Sequence, residues 1–294
     1  MYNTTKPYTK KILELIKDCK ADIPASTDGI GTKGIYHWKY RTFRNAVLDA
    51  MAMNLNDMAV LRAKVTGLHN HIILPEEDEE AILEIVGNIA RECKRRDIKI
   101  LSGETAIHNT LSELEISVSV IGEYVQKREN KFERGNSLVG ITSSGLHSNG
   151  FTKVREIFGE TFRNEFIEPT KVYYDAVLDL IRRYDIPGLC HITGGAFTKI
   201  KQYLNSNDAT ISDKHILLPQ QIFRDISKVI SDEEMYKTFN CGIGFTLSVS
   251  PADEKDIIYD LENKGLIASV IGNVTKGNGN VKIDSMFTRN RIVL

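Results

Sequence analysis

The sequence predicts a mixed α/β (α+β) protein built in two halves, and two patterns carry that expectation. Segments of strand period and helix period interleave along the chain, with some strands following one another directly. A polar, charged tract ending in Gly-Asn, residues 127–136, separates an N-terminal unit, residues 1–126, from a C-terminal unit, residues 137–294.

In the first half, Ile12, Leu13, Leu15 and Ile16 lie between lysines and predict a short amphipathic helix over 8–19. Residues 21–27 predict a strand ending in the polar loop Ser26-Thr27-Asp28-Gly29. A helix rich in Ala, Met and Leu follows at 44–58, then a strand at 64–74. Helix 76–95 is the best marked. Behind Pro75, the acidic turn Glu76-Glu77-Asp78 suits the positive end of a helix dipole, and Ala81, Ile82, Ile85, Val86, Ile89 and Cys93 form one apolar face. Strands are expected at 97–103 and 113–124, the second alternating Leu114, Ile116, Val118 and Val120 with Glu115, Ser117 and Ser119.

In the second half, strands are expected at 139–142, 208–213, 243–249, 266–274 and 279–283. Helices are expected near 150–158, 170–184, 195–204 and 219–230. The last helix has Ser250 as N-cap, Pro251 at its first position and Gly265 past its end.

The bulk composition narrows the function. Of 294 residues, 41% are hydrophobic and 26% charged, as in ordinary globular domains. A net charge of -1 gives no global attraction to nucleic acid or to an anionic membrane, so neither partner is expected. The four cysteines, Cys19, Cys93, Cys190 and Cys241, show no C-x-x-C spacing and no zinc-like His pair. They read as reduced thiols of a cytoplasmic protein, with Cys241 a packed thiol rather than a nucleophile. There is no signal-peptide pattern and no apolar run of membrane length.

Gly29-Ile30-Gly31-Thr32-Lys33-Gly34 spells G-x-G-x-x-G, but Ile35-Tyr36-His37-Trp38-Lys39-Tyr40-Arg41 does not open the apolar helix a dinucleotide fold requires. The spacing around Lys33 does not fit a P-loop either. Two readings stay open. Either the glycines let the backbone approach a phosphate that Lys33 neutralises while Asp28 holds a metal, or they form a tight solvated turn.

Several segments, in one order, resemble the aminoimidazole ribonucleotide synthetase family, also called phosphoribosylformylglycinamidine cyclo-ligase. Ser26-Thr27-Asp28-Gly29-Ile30-Gly31-Thr32-Lys33 is similar to T-D-G-V-G-T-K, and residues 49–57 (DAMAMNLND) to D-L-V-A-M-x-V-N-D. Ser102-Gly103-Glu104-Thr105-Ala106 resembles G-G-E-T-A. Residues 143–151 (SSGLHSNGF), Pro169-Thr170-Lys171-Val172-Tyr173, His191-Ile192-Thr193-Gly194-Gly195 and residues 235–244 (MYKTFNCGIG) complete the set. The resemblance runs from about residue 22 to about 283.

The resemblance implies an N-terminal ATP-binding and dimerisation domain whose sheets close into a β-barrel across a homodimer, and a C-terminal α/β domain. It implies ATP and Mg²⁺, and ATP-driven closure of the imidazole ring of formylglycinamidine ribonucleotide through an iminophosphate. Asp28, Asp57 and Glu104 are then the metal carboxylates. Asp28, Gly29, Gly31, Thr32, Lys33, Asn56 and Glu104 line the nucleotide, with Lys33 on phosphate. Asp49 and Glu115 are second-rank acids, each with a plainer reading as a solvent-facing carboxylate. His147, Asp57 and Lys33 are the catalytic candidates. Ser148, Asn149, His191, Thr193, Gly194 and Gly195 are assigned to substrate. Ser148 or Asn149 also reads as a helix cap, and a helix N-terminus is itself an anion site, so both roles can hold together.

The match thins in the first half. No glycine precedes Thr27, the family's L-D-Y acid falls at Asn70, and the second acid of G-E-T-A-E is replaced by Ile107. His69, His71 and His108 are additional polar groups there. Two other functions are therefore carried along: a relative phosphorylating another small substrate, and a catalytically reduced nucleotide-binding subunit.

Overall fold

The computed structural model describes residues 8–19 and 21–294. The chain runs α1 (Thr9–Leu15), β1 (Ala25–Gly29), α2 (Gly34–Lys39), α3 (Phe43–Val60), β2 (Ala63–Leu74), α4 (Glu79–Arg95), β3 (Lys99–Ile107) and β4 (Glu115–Tyr124). It continues with β5 (Ser137–Thr142), α5 (Phe151–Phe158), α6 (Tyr174–Arg183), β6 (Gly188–His191), β7 (Asn207–Ile211), α7 (Gln221–Ile226) and α8 (Asp232–Thr238). It closes with β8 (Ile243–Val249), α9 (Glu254–Asn263), β9 (Ala268–Lys276), β10 (Val281–Asp284) and β11 (Arg291–Val293).

Two sheets organise these elements. The first has the order β1-β4-β2-β3, and the second β11-β10-β7-β9-β5-β8-β6. In the first, β2 and β3 are parallel, so their connection must cross the sheet, and α4 is that crossover. The apolar row Leu68, Ile72, Ile116, Val118 and Val120 packs beneath α3 and α4. Helix α3 is buried on nearly every side, which explains its mixture of Ala, Met and Leu, and its Asp49, Asn54 and Asn56 are buried with them.

The other face of this sheet is uncovered. Thr27, Ser119, His69 and Ser102 form one row across it, tied by Thr27 Oγ1–Ser119 Oγ at 3.0 Å and His69 Nδ1–Ser102 Oγ at 2.7 Å. Strand β3 is the open edge, with Ile100, Leu101 and Ile107 exposed. Among the described residues this sheet is open and four-stranded, and the barrel expected across a homodimer is not formed by one chain alone.

Several boundaries differ from the sequence expectation for local reasons. Ser26 to Gly29 belong to β1 rather than a loop, because β4 supplies partners as far as Gly29–Ser117. Helix α4 starts at Glu79 because Asp78 is the N-cap, its carboxylate accepting from the Ala81 amide at 2.9 Å. The acidic residues 76 and 77 precede the cap. Helix α9 begins at Glu254, since Ser250 caps a preceding turn through Ala252 N. Strand β6 and helix α8 were not foreseen. The first is a four-residue buried strand, and Ser231 starts the second by accepting from Glu234 N. Among the described residues no helix is long and apolar enough to cross a membrane.

Candidate active site

The two sheets meet along one side of α3, and that contact is polar. Asn45, Asp49 and Asn56 recur at helical spacing and hold the strap 167–173 that leads into α6. Asn45 Nδ2 donates to Ile167 O at 2.9 Å. Asp49 Oδ1 accepts from Thr170 N at 2.7 Å and Thr170 Oγ1 at 2.6 Å. Asn56 donates to Lys171 O at 2.9 Å and accepts from Tyr173 N at 2.7 Å.

Asp49 is fully saturated. Its Oδ2 lies 2.7 Å from Lys33 Nζ and 2.8 Å from His37 Nε2, with all three side chains buried. Lys33 Nζ also donates to Glu168 O at 2.6 Å. Burial works to raise the Asp49 carboxyl, but the Lys33 charge and the His37 hydrogen bond outweigh it and hold the group well below the carboxylate range. His37 Nδ1 accepts from Thr42 Oγ1 at 2.8 Å, which puts its proton on Nε2 toward Asp49. Lys33, expected at a phosphate, has its ammonium enclosed in the junction between the sheets. Asp49 is likewise no solvent-facing helix carboxylate.

The next turn of α3 places Asp57 in the cleft. Its Oδ1 accepts from His191 Nδ1 at 3.1 Å, at the end of β6. Asn56 Nδ2 approaches His191 Nε2 at 3.2 Å, so Nε2 is the acceptor and the proton sits on Nδ1. Burial keeps this imidazole neutral by lowering its pKa. Burial tends to raise Asp57 as well, but the Lys199 charge and the His191 bond bring it down to about 2. Asn56, expected at the nucleotide, has its amide committed to the strap and to His191, and it is fully buried.

Asp28 faces the same cleft from β1. It pairs with Val118 on the core-facing row, and its backbone carbonyl accepts from Asn54 on α3. Crowding by the surrounding protein, then the nearby Asp57 charge, raise its carboxyl, while the Gly29 amide bond opposes them. Each of these two acids keeps one oxygen without a protein partner among the described residues, Asp28 using Oδ1 for Gly29 N and Asp57 using Oδ1 for His191. Beyond Asp28, Gly31, Thr32 and Lys33 form a 3₁₀ turn into α2.

Glu104 does not join them. It stands opposite His71 on the uncovered face, and β3 lies three strand spacings, roughly 14 Å, from β1. Among the described residues no three His, Cys, Asp or Glu side chains group into a metal set, so the triad Asp28, Asp57 and Glu104 is not assembled within one chain. Glu115 also lies toward the uncovered side, exposed.

The C-terminal half contributes two loops. In the first, His147 has φ of 61° and accepts from the Ser144 amide at 3.2 Å through Nε2. Its Nδ1 has no partner, and it is 1% exposed. Burial is the main cause that pushes its pKa well below the usual range, and the Lys33 charge adds to it. Through the Ser144 bond this enclosed imidazole braces the 143–149 loop. Gly244 makes room for it: a Cβ there would lie 2.0 Å from Tyr173 Oη and 2.6 Å from His147 Cε1. Ser148 Oγ pairs with Thr170 Oγ1 at 2.9 Å, and Asn149 is half-buried. Neither caps α5, whose N-cap is Gly150.

In the second loop, Thr193-Gly194-Gly195 turns from β6 into a 3₁₀ helix, Ala196–Tyr203. Lys199 reaches back from that helix, donating to Thr193 Oγ1 at 2.8 Å. Sequence reasoning missed Lys199, because only the fold returns it to the end of β6. It also missed His37, which lies in the segment just after the rejected glycine pattern.

Comparison with known proteins fits this arrangement. The model for AIR synthase related protein, N-terminal domain, matches residues 13–124, and the C-terminal domain model matches residues 133–284. The chain belongs to the AIR synthase family. It is 34% identical over 274 residues to a phosphoribosylformylglycinamidine cyclo-ligase of Saccharolobus solfataricus, covering 90% of this chain and 83% of that one. It is 33% identical over 290 residues to the enzyme of the same name from Methanococcus vannielii, covering 91% and 81%. Among solved structures it shares its fold with the E. coli hydrogenase maturation protein HypE, at a TM-score of 0.70 and 17% identity over 96% of this chain and 88% of that one.

Proposed function

We propose that this AIR synthase family member is an ATP-dependent cyclo-ligase that converts formylglycinamidine ribonucleotide to aminoimidazole ribonucleotide, ADP and phosphate. The observation that carries the reading is the cleft itself. Two carboxylates of the N-terminal half, Asp28 on β1 and Asp57 on α3, face the Thr-Gly-Gly loop that follows β6, and the Asp57–His191 bond ties the two halves together. Phosphoryl transfer needs positioned charge more than covalent help, which suits such a site.

The chemistry is a two-part exchange. The formyl oxygen accepts the terminal phosphoryl group of ATP to give an iminophosphate. The amidine nitrogen then attacks the formyl carbon, and the C–O bond breaks with phosphate leaving. Asp28 and Asp57 fit a Mg²⁺ ion, because each offers an unpartnered hard oxygen and this ion is commonly bound by one or two carboxylates plus substrate phosphates. Bound there, Mg²⁺ supplies charge neutralisation on the phosphates. Asp57 keeps its orientation through His191, whose neutral tautomer is set by Asn56. The 143–149 loop, braced by His147 and by Ser148 on Thr170, forms the substrate side.

A homodimer agrees with the uncovered sheet face. A second copy laid on the Thr27-Ser119-His69-Ser102 row would bury Leu101 and complete a barrel, and Glu104 would then face the partner. Free cysteines throughout agree with a reducing cytoplasm. Following ADP and aminoimidazole formation from Mg-ATP and formylglycinamidine ribonucleotide tests the reading. ATP binding without turnover would favour a kinase of another small substrate, and absence of both would favour a subunit role.

A further inference from the structure

The junction consumes the lysine that the sequence assigned to phosphate. Lys33 has its ammonium between Asp49, at 2.7 Å, and Glu168 O, at 2.6 Å. Releasing it would leave a buried carboxylate unpaired, which is costly. Lys199 is in the opposite condition. It is half-buried, and among the described residues its Nζ has one hydrogen-bond partner, Thr193 Oγ1 at 2.8 Å, and no ion pair. An ammonium carries three donors, so two remain for a ligand.

Its location follows from the turn. Residues three apart eclipse in a 3₁₀ helix, so Lys199 stands one turn above Ala196, over the Thr193-Gly194-Gly195 loop. Two residues before that loop is His191, the partner of Asp57. Lys199 is also the leading favourable charge acting on Asp57, and it acts on Asp28. A cation with free donors, near two acids but not paired to them, can bridge to an anion held beside those acids.

We propose that Lys199 is the phosphate-binding cation of the cleft, its ammonium hydrogen-bonding the anionic oxygens of a phosphoryl group held beside Asp57. The proposal rests on the ATP-dependent reading of this site. Two ligands carry the required chemistry: the terminal phosphate of ATP and the ribose phosphate of the substrate. A Lys has the reach and charge for either, and a Met in its place keeps the stem while removing the donors.

Titration of the full chain distinguishes them. Wild type, Lys199→Met and Lys199→Arg are each titrated calorimetrically with a non-hydrolysable ATP analogue plus Mg²⁺, and separately with formylglycinamidine ribonucleotide without ATP. The expected result is a loss of about tenfold or more for one ligand in the Met variant, the scale of one charge-assisted hydrogen bond, with partial recovery in the Arg variant. Loss for the nucleotide alone assigns Lys199 to the terminal phosphate, and loss for the ribonucleotide alone assigns it to the substrate. Unchanged binding of both ligands overturns the proposal, as does a wild type that binds neither. Equal loss of both with a lowered melting temperature also overturns it, marking a mere counter-ion to Asp57. If binding depends on Lys199 as expected but wild type forms no aminoimidazole ribonucleotide, the cyclo-ligase reading fails and the Lys199 proposal stands.

Discussion

Lys33 and Asp49 form an ion pair of 2.7 Å with both side chains fully buried, and this pair fastens the C-terminal strap to α3. A buried pair is weak evidence of net stability, but breaking one partner strands the other charge. Asp49→Asn should destabilise the protein by about 3–5 kcal/mol in urea unfolding, because it leaves the Lys33 ammonium buried without its carboxylate. The double variant Lys33→Met with Asp49→Asn should lose less than Asp49→Asn alone. A single-variant cost within about 0.5 kcal/mol of zero, the range of an ordinary surface substitution, would remove the pair from this role.

Gly244 sits where two side chains already touch the backbone. Gly244→Ala sets a Cβ 2.0 Å from Tyr173 Oη and 2.6 Å from His147 Cε1, neither of which can yield without displacing the 143–149 loop. Overpacking of this kind costs about 1–3 kcal/mol. Turnover should fall with it, and the Tyr173 Oη bond to Thr142 O, 2.9 Å long, should be lost in a crystal structure of the variant. A variant with wild-type melting temperature and an intact Tyr173–Thr142 bond would show that the loop tolerates the shift.

Acid should weaken the fold through its buried histidines before Asp57 is protonated. Burial lowers the pKa of His37, His147 and His191 below the ordinary 6.5. The unfolded chain therefore takes up protons that the folded chain refuses. Stability from this source is complete above about pH 6.5 and declines below it, by up to about 1.4 kcal/mol per pH unit for each histidine. Asp57 is shifted in the same direction, from 3.8 to about 2, but its contribution is lost only as pH falls from about 4 toward 2. Melting temperatures at about pH 7.5 and pH 5.5 should differ by several degrees, the lower at pH 5.5. Equal values would mean that these imidazoles are charged in the native state.

The sequence told most where local chemistry and packing agree. Strand β4 was legible because Ile116, Val118 and Val120 alternate with Ser117 and Ser119 on a sheet with one buried face. The junction was not. Lys33 in a glycine-rich turn looks like a phosphate ligand, and only the arrival of Asp49 and the strap at Glu168 and Thr170 converts it to a buried brace. Lys199 was invisible for the same reason, since its meaning comes from the return of a 3₁₀ turn over β6. Asp57 and His191 were both singled out, but their contact spans 134 positions and no spacing rule reports it. Glu104 was singled out by its motif, and a motif fixes residue types but not the face of the strand that bears them.

The cleft reading stands or falls on Asp57. Its carboxylate is anionic, held by His191, and offers one free oxygen beside Asp28. Asp57→Asn keeps the shape and an acceptor for His191 while removing the charge. The decisive measurement is turnover of formylglycinamidine ribonucleotide with Mg-ATP by wild type and Asp57→Asn, with melting temperatures recorded alongside. The account predicts aminoimidazole ribonucleotide and ADP in equal amounts from wild type, and a fall of about 100-fold or more in a folded Asp57→Asn, the scale of removing one preorganised charge. Turnover by Asp57→Asn at the wild-type rate, or no product from a folded wild type, would contradict it.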